Sequence, residues 1–200
     1  MLKKLGHTAK INQDQKGLHV PAGQYVTEKF PVMTYGASPK IDLKAWRLRA
    51  FGLVVHEAVF TWEEFLALPQ IAITRDFHCV TQWSRMDNLW EGVPFREVVQ
   101  RASPRPEAKY VMVHSYGGYT TNLPLDALLE DDVLLAHRHE GNPLGQAHGG
   151  PMRLVVPSRY GWKSAKWVNG LEFMAQDKPG FWEQLGYHNN ADPWKEERFG

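Results

Sequence analysis

The chain has 200 residues, 43% of them hydrophobic, enough for one globular domain or at most two small ones with a real core. Lys and Arg number 23 against 22 Asp and Glu, a net charge of +1, so no charge excess points to nucleic acid or an acidic membrane. A single cysteine excludes an intrachain disulfide scaffold, and no apolar run approaches the roughly 20 residues that a spanning helix needs.

Residues 1–30 are polar with scattered Gly and Pro, and read as an arm laid over the domain. The opening "MLKKLGHTAKINQDQKG" has two lysines but no apolar h-region, small-residue cleavage site or twin arginine. The expectation is a cytoplasmic protein, and a periplasmic one only if an export signal has been removed. "AWRLRAFG" (45–52) alternates Trp46 and Leu48 with Arg47 and Arg49, the period of a half-buried strand. "TWEEFLAL" (61–68) sets Thr61 three residues before Glu64, a capping box ahead of a short helix that stops at Pro69.

"IAITRDFHC" (71–79) reads as a strand on its β-branched residues, followed by a charged, turn-like segment with two tryptophans. "PFREVVQRA" (94–102) opens on Pro94, tolerated in a first helical turn, and places Phe95, Val98 and Val99 at helical spacing. "KYVMVHSY" is a strand, "PLDALLEDD" a short helix begun by Pro124, and "DVLLAHRH" another strand. "MRLVVPSRYG" and "KWVNGLEFM" are two more strands across a Gly-containing turn, and "GFWEQLGY" is a last helical turn. Short strands interleaved with short helices predict an α+β fold, strand-rich with mixed sheets.

Three clusters bear on chemistry. Cys79 is a soft metal ligand, a nucleophile if Arg75, His78 or Arg85 lowers its pKa, or an inert buried thiol. Taken alone, the inert thiol is the default. "NPLGQAHGGPMRLVVPSRYGWKSAKW" (142–167) packs His148, Arg153, Arg159, Lys163, Ser164 and Lys166 around Gly149, Gly150 and Gly161. Glycines let backbone amides approach a ligand and the basic side chains suit a phosphate, although an ordinary hairpin with a basic rim reads the same. Neither GxxxxGK[ST] nor GxGxxG occurs. His137 and His139, at i and i+2, could join His148 around zinc, a spacing common by chance. No G-x-S-x-G elbow supports a serine hydrolase.

The combination decides more than any part. "HGGPMRLVVPSRYGWKSAKWV" resembles the signature of the sulfite oxidase family, the oxidoreductase molybdopterin-binding domain: an H/N-G-x-P-x-R-L-V-V-P strand followed by Y-G-x-K-S-x-K-W. "FHCVTQWSRMDNLWEGVPFREVV" is similar to that family's cysteine motif, and "PVMTYGASPKIDLKAWRLRAFGLV" resembles its opening. The matches run in order from about residue 30 to the end. The Trp83-Ser84 after the cysteine is nearer to bacterial methionine-sulfoxide-reductase catalytic subunits than to animal sulfite oxidase, which carries an arginine there.

The resemblance implies the sulfite oxidase molybdopterin-binding fold over 31–200 as a single catalytic domain, without a haem domain or a C-terminal dimerisation domain. It implies molybdenum held by the Cys79 thiolate and one molybdopterin bound by His148, Arg153, Ser164, Ala165 and Lys166. It also implies a contact at His114 or Ser115 and contacts near Tyr35 and Gly36. Lys178 stands in "DKPGFW", where sulfite oxidases carry a pocket tyrosine, while Tyr187 and His188 fall near a pocket mouth. The implied activity is transfer of an oxygen atom to or from a small substrate, an oxyanion or S-oxide. With no haem or flavin motif, electrons are exchanged with a separate partner, and neither nucleic acid nor membrane insertion is expected. The alternatives are a non-catalytic molybdopterin-binding subunit or carrier, and a hydrolase using Cys79 with His78 or His114.

Overall fold

The computed structural model describes residues 19–200. The first 18 residues of the expected arm lie outside the described part. The described chain folds into a pair of mixed sheets with short helices at their ends. In chain order the elements are β1 (Tyr25–Val26), β2 (Arg47–Gly52), β3 (Ala58–Thr61), α1 (Trp62–Leu66), β4 (Ile71–His78), β5 (Trp83–Pro94) and α2 (Phe95–Ala102). Then come β6 (Tyr110–Ser115), β7 (Thr120–Pro124), α3 (Leu125–Leu128), β8 (Leu134–His139), β9 (Asn142–Pro143), β10 (Arg153–Val155) and β11 (Val168–Met174). Single 3-10 turns close the chain at Glu183–Leu185 and Pro193–Lys195.

Local sequence accounts for most of these pieces. In β2 the basic residues face out and Leu48 and Ala50 face in, as the alternation requires. Thr61 caps α1 through its side chain, and Glu64 returns the bond to the cap, so both halves of the box form. Pro94 and Pro124 each stand immediately before a helix, where a missing N–H costs nothing.

One assignment is corrected. The charged stretch after Cys79 is not a turn region but β5, the 12-residue strand around which the first sheet is built. It pairs antiparallel with β4 along one edge, and with β1 (parallel) and β8 (antiparallel) along the other. Arg85, Asp87 and Glu91 interrupt the apolar pattern, yet their neighbours Trp83, Ser84, Asn88, Trp90 and Gly92 to Pro94 are buried. Strands β8, β10 and β9 complete that sheet, and the second sheet has the order β3-β2-β11-β6-β7. β3 and β7 are also absent from the sequence reading; both are short partners recruited by a longer neighbour.

The main core packs β2, β6 and β11 against α1, α2 and α3, with Trp46, Phe65, Phe95, Leu171 and Phe173 almost wholly buried. A second, smaller cluster holds Phe77, Cys79, Trp83, Trp90, Leu134 and Val155, with Phe30 packed on it from the arm. At about 25 cal/mol per Å2 of apolar area, burying each large side chain contributes roughly 1.5–3 kcal/mol, so both clusters are substantial. The second cluster matters for function, because it places the only thiol.

Candidate functional site

Cys79 is one residue beyond the end of β4, in the four-residue turn to β5. Its N–H donates to Trp83 O (2.8 Å) and its carbonyl accepts from Gln82 N (3.0 Å), closing the turn. The side chain is 7% exposed, with Sγ 3.1 Å from Thr81 Oγ1. Burial pushes the thiol pKa up, while the Thr81 hydroxyl and the charges of Arg198 and Lys166 oppose the rise. A thiol held in this way stays protonated until something stronger than a proton takes its place, which a metal ion can do.

It opens into a cavity of about 380 Å3 walled by several segments. Phe30 at the end of the arm is followed into the wall by Met33 and Tyr35; the facing ends of β4 and β5 and the turn between them supply Phe77, Cys79 and Trp83; the β6–β7 turn supplies Gly117, Gly118 and Tyr119. The loop flanking β10 adds His148, Arg153, Ser164, Ala165 and Lys166, and the C-terminal stretch adds Phe181, Trp182 and Tyr187. Among the described residues of this lining there is no Asp or Glu.

That absence defines the electrostatics. Arg153 is 2% exposed and donates only to neutral carbonyls: His148 O (3.0 Å), Ser164 O (2.9 Å) and Leu154 O (3.4 Å). Burial brings its pKa down to about 10. Lys166 donates to Ala147 O at 2.6 Å, and burial together with the charge of Arg153 brings its pKa to about 7. His148 stacks on Phe30 at 4.6 Å, and its Nδ1 is buried without a partner. Its pKa is lowered by burial and by Lys166 and Arg153. Buried Arg153 and half-buried Lys166 have no carboxylate partner in this lining, and a bound dianion would supply the missing counter-charge. Gly149, at φ +106, lets the backbone sit against both: an added Cβ would lie 3.0 Å from Lys166 Cβ and 3.1 Å from Arg153 Cβ. The donor set therefore fits a phosphate-bearing cofactor whose metal reaches a thiolate.

Residues 35–182 match the family described as oxidoreductase molybdopterin binding domain. The chain belongs to that family. This molybdopterin-binding oxidoreductase is 44% identical over 191 residues to a Bacillus subtilis protein named "Uncharacterized oxidoreductase YuiH", covering 95% of this chain and 96% of that one. It is 30% identical over 167 residues to "Putative protein-methionine-sulfoxide reductase subunit YedZ1" of Azospira oryzae, covering 82% of this chain and 63% of that protein. With the protein-methionine-sulfoxide reductase catalytic subunit MsrP of Xanthomonas axonopodis it shares 33% identity over 179 residues, 78% of this chain and 55% of that protein. The chain thus spans 63% and 55% of the lengths of these two reductase relatives. Among solved structures, the sulfane dehydrogenase SoxCD of Paracoccus pantotrophus matches with a TM-score of 0.64 and 26% identity, over 70% of this chain and 40% of that one. The α+β molybdopterin-binding fold of the sulfite oxidase type is that of this oxidoreductase.

Seven of the ten residues expected at the site line the cavity together: Tyr35, Cys79, His148, Arg153, Ser164, Ala165 and Lys166. Gly36, His114 and Ser115 do not. His114 lies on β6 with Nε2 2.9 Å from Glu172 Oε2, and the Ser115 hydroxyl is buried without a partner. The chain reaches the cavity just beyond them, at 117–119, because the β6–β7 turn projects where the strand does not. Of the other basic residues near the thiol or in the loop, Arg75 pairs with Asp132 and Arg85 with Glu140, and with Arg159 they stay out of the lining. His188 also stays out, held against Glu197.

The zinc and hydrolase readings lose their geometry. His137 faces Gln70, His139 faces Asn88, and among the described residues no group of three or more His, Cys, Asp or Glu is placed to hold a metal ion. His78 Nδ1 meets Ser84 Oγ at 2.8 Å instead of the thiol, and His114 is occupied by Glu172. With its pKa raised by burial, Cys79 is not an activated nucleophile.

Of the aromatic wall, sequence reading expected Tyr35 and Tyr187 and missed Trp162, Phe181 and Trp182, all of which line the cavity with them. Tyr35 lies 4.9 Å from Phe181 and 5.8 Å from Trp182 between ring centroids, and Tyr187 lies 4.9 Å from Trp182 and 5.1 Å from Trp162. These rings come from three distant segments, and for Trp162, Phe181 and Trp182 only the local density of aromatics was a signal. Among the described residues no helix is long and apolar enough to cross a membrane.

Proposed function

We propose that residues 31–200 act as one catalytic domain, a molybdenum–molybdopterin oxidoreductase that moves an oxygen atom to or from a small sulfur oxide of the sulfite or sulfoxide type. The observation that carries this reading is the buried, unactivated Cys79 thiol facing a cavity whose charged lining residues, Arg153 and Lys166, are cations without a carboxylate. When bound, the cofactor supplies a two-electron metal centre able to take up or give up an oxygen atom.

The chain's own residues bind and orient. Cys79 would hold the metal through its thiolate. Arg153 and Lys166 offer charge-assisted donors to the phosphate, and filling the site relieves their mutual repulsion. His148 presents an unpartnered Nδ1, and Ser164 and Ala165 bring their backbone to the same wall. Trp83, Tyr119, Trp162, Phe181, Trp182 and Tyr187 line the cavity with rings and help exclude water from it. No general base stands at the thiol, and oxygen-atom transfer requires none. Sulfur chemistry is supported by relatives whose names are a methionine-sulfoxide reductase and a sulfane dehydrogenase. Two of them are named as subunits, which supports electron exchange with a separate partner.

Metal analysis of protein from a molybdenum-replete host, followed by Mo(V) EPR during titration with sulfite and with sulfoxides, tests the reading. The expected result is bound molybdenum whose signal responds to one of the two. Active protein free of molybdenum and pterin would overturn it, and bound pterin with no spectral response would reduce the chain to a cofactor-binding subunit.

A further inference from the structure

The turn that presents Cys79 is weakly held by its own hairpin. The β4–β5 ladder ends at the His78–Ser84 pair, and inside the turn only the Cys79 N–H and Gln82 N–H bonds close it. Gln82 sits at φ +72, a conformation that a residue with a Cβ keeps only when its surroundings enforce it. The enforcement comes from both ends of the chain. From the arm, Tyr25 N donates to Gln82 O (2.9 Å) and Gln24 Nε2 donates to Cys79 O (3.1 Å). From the C-terminal tail, Arg198 Nη1 donates to Val80 O at 2.6 Å. Its other nitrogen, Nη2, donates to Ala22 O at 3.3 Å, so one guanidinium ties arm and turn together.

Each of these donors is itself aimed. Gln24 Oε1 accepts from Ser84 Oγ at 3.2 Å, which fixes the amide with its nitrogen toward Cys79. The Ser84 hydroxyl has then given away its proton, so His78 Nδ1, 2.8 Å distant, must be the donor to it. The Arg198 guanidinium lies 5.1 Å over the Tyr160 ring. Consecutive carbonyls of the thiol-bearing turn are thus gripped by one oriented donor from each terminus.

We propose that Gln24 and Arg198 are positioning residues for Cys79, fixing the direction and rigidity of its Sγ toward the metal. The proposal rests on the reading that Cys79 binds molybdenum. Groups that orient a metal ligand change affinity and electronic structure at the metal when removed, although they never touch it.

The test uses Arg198→Ala, Gln24→Met and the conservative Arg198→Lys, which can still place one donor on Val80 O. In protein from a host unable to make the pterin, iodoacetamide alkylation of Cys79, the only cysteine, is followed by mass spectrometry. Gln24→Met, which changes no charge, should speed alkylation about tenfold, and in loaded protein Arg198→Ala and Gln24→Met should each weaken molybdenum retention by a similar factor and shift the Mo(V) g-values. Arg198→Lys should return both toward wild type. Alkylation within about twofold of wild type with an unchanged Mo(V) spectrum would overturn the proposal. So would changes that merely track a fall in melting temperature and are not rescued by lysine. If the alanine variant fails to fold, Arg198→Lys and Gln24→Met carry the same comparison. Wild-type protein without molybdenum would instead sink the ligand reading, and the two failures are separable because alkylation is measured without metal.

Discussion

Replacing Lys163 by Met separates two lysines that look equivalent in "GWKSAKW". Lys166 lines the cavity, whereas Lys163 points away from it and lies 2.6 Å from Glu183, with both side chains 1% exposed. Lys163 Nζ also donates to Asn122 O (2.8 Å), and Glu183 Oε1 accepts from Thr121 Oγ1 and Trp162 Nε1, each at 3.0 Å. Lys163→Met nearly conserves volume but leaves the Glu183 carboxylate buried without its counter-charge. Breaking one side of a buried pair costs about 3–5 kcal/mol. At about 2–4 °C per kcal/mol for a chain of this size, the melting temperature should fall by about 6–20 °C. The assay is thermal unfolding of cofactor-free protein by circular dichroism. Lys163→Met/Glu183→Leu should recover at least half of the loss, since removing both charges together avoids the uncompensated one. A single variant melting within about 2 °C of wild type, or a double variant no better than the single, would refute this account of the network.

Lys166→Met should behave in the opposite way: cofactor-free protein keeps or gains melting temperature because a half-buried like charge beside Arg153 is gone, while pterin retention falls at least about tenfold. A drop in cofactor-free stability would contradict the anion-cradle argument. For pH, burial, then the charge of Arg85, brings the His139 pKa down to about 4 from its ordinary 6.5. Its folded pKa is below its unfolded one, so the unfolded chain binds the extra proton, and stability present above pH 6.5 is lost as pH falls toward 4. The loss is at most about 3 kcal/mol, and His139→Gln should flatten that part of a urea-unfolding pH profile relative to wild type. Gly161→Ala would bring a Cβ to 2.6 Å from the Phe77 ring, and the overpacking should cost about 1–3 kcal/mol and slow cofactor uptake. Unchanged urea midpoints for that variant would show that Phe77 yields freely.

Much of the fold was legible locally. The Thr61–Glu64 box, the prolines at 94 and 124 and the alternation through β2 are all short-range patterns, and each forms where the pattern stands. β5 was not, because a strand paired on both edges tolerates charges at positions that point out, and its pairing partners lie elsewhere in the chain. The site divides in the same way. Cys79 and the glycine-punctuated basic loop announce themselves by residue type, since soft ligands and phosphate donors are chemically distinctive.

By itself, the sequence determined the chemical vocabulary: one thiol, a basic loop with glycines, and a family resemblance that joined them. Tertiary structure alone decided which members of that vocabulary meet. It sent Lys163 to Glu183 and Lys166 to the cavity, three residues apart in one loop. It turned His114 toward Glu172, brought Phe30 onto His148, and closed Gln24 and Arg198 over the Cys79 turn. The physical reason is that a side chain's charge and softness are local properties. Its burial and partner depend on chain closure across separations as long as the 176 residues between Ala22 and Arg198.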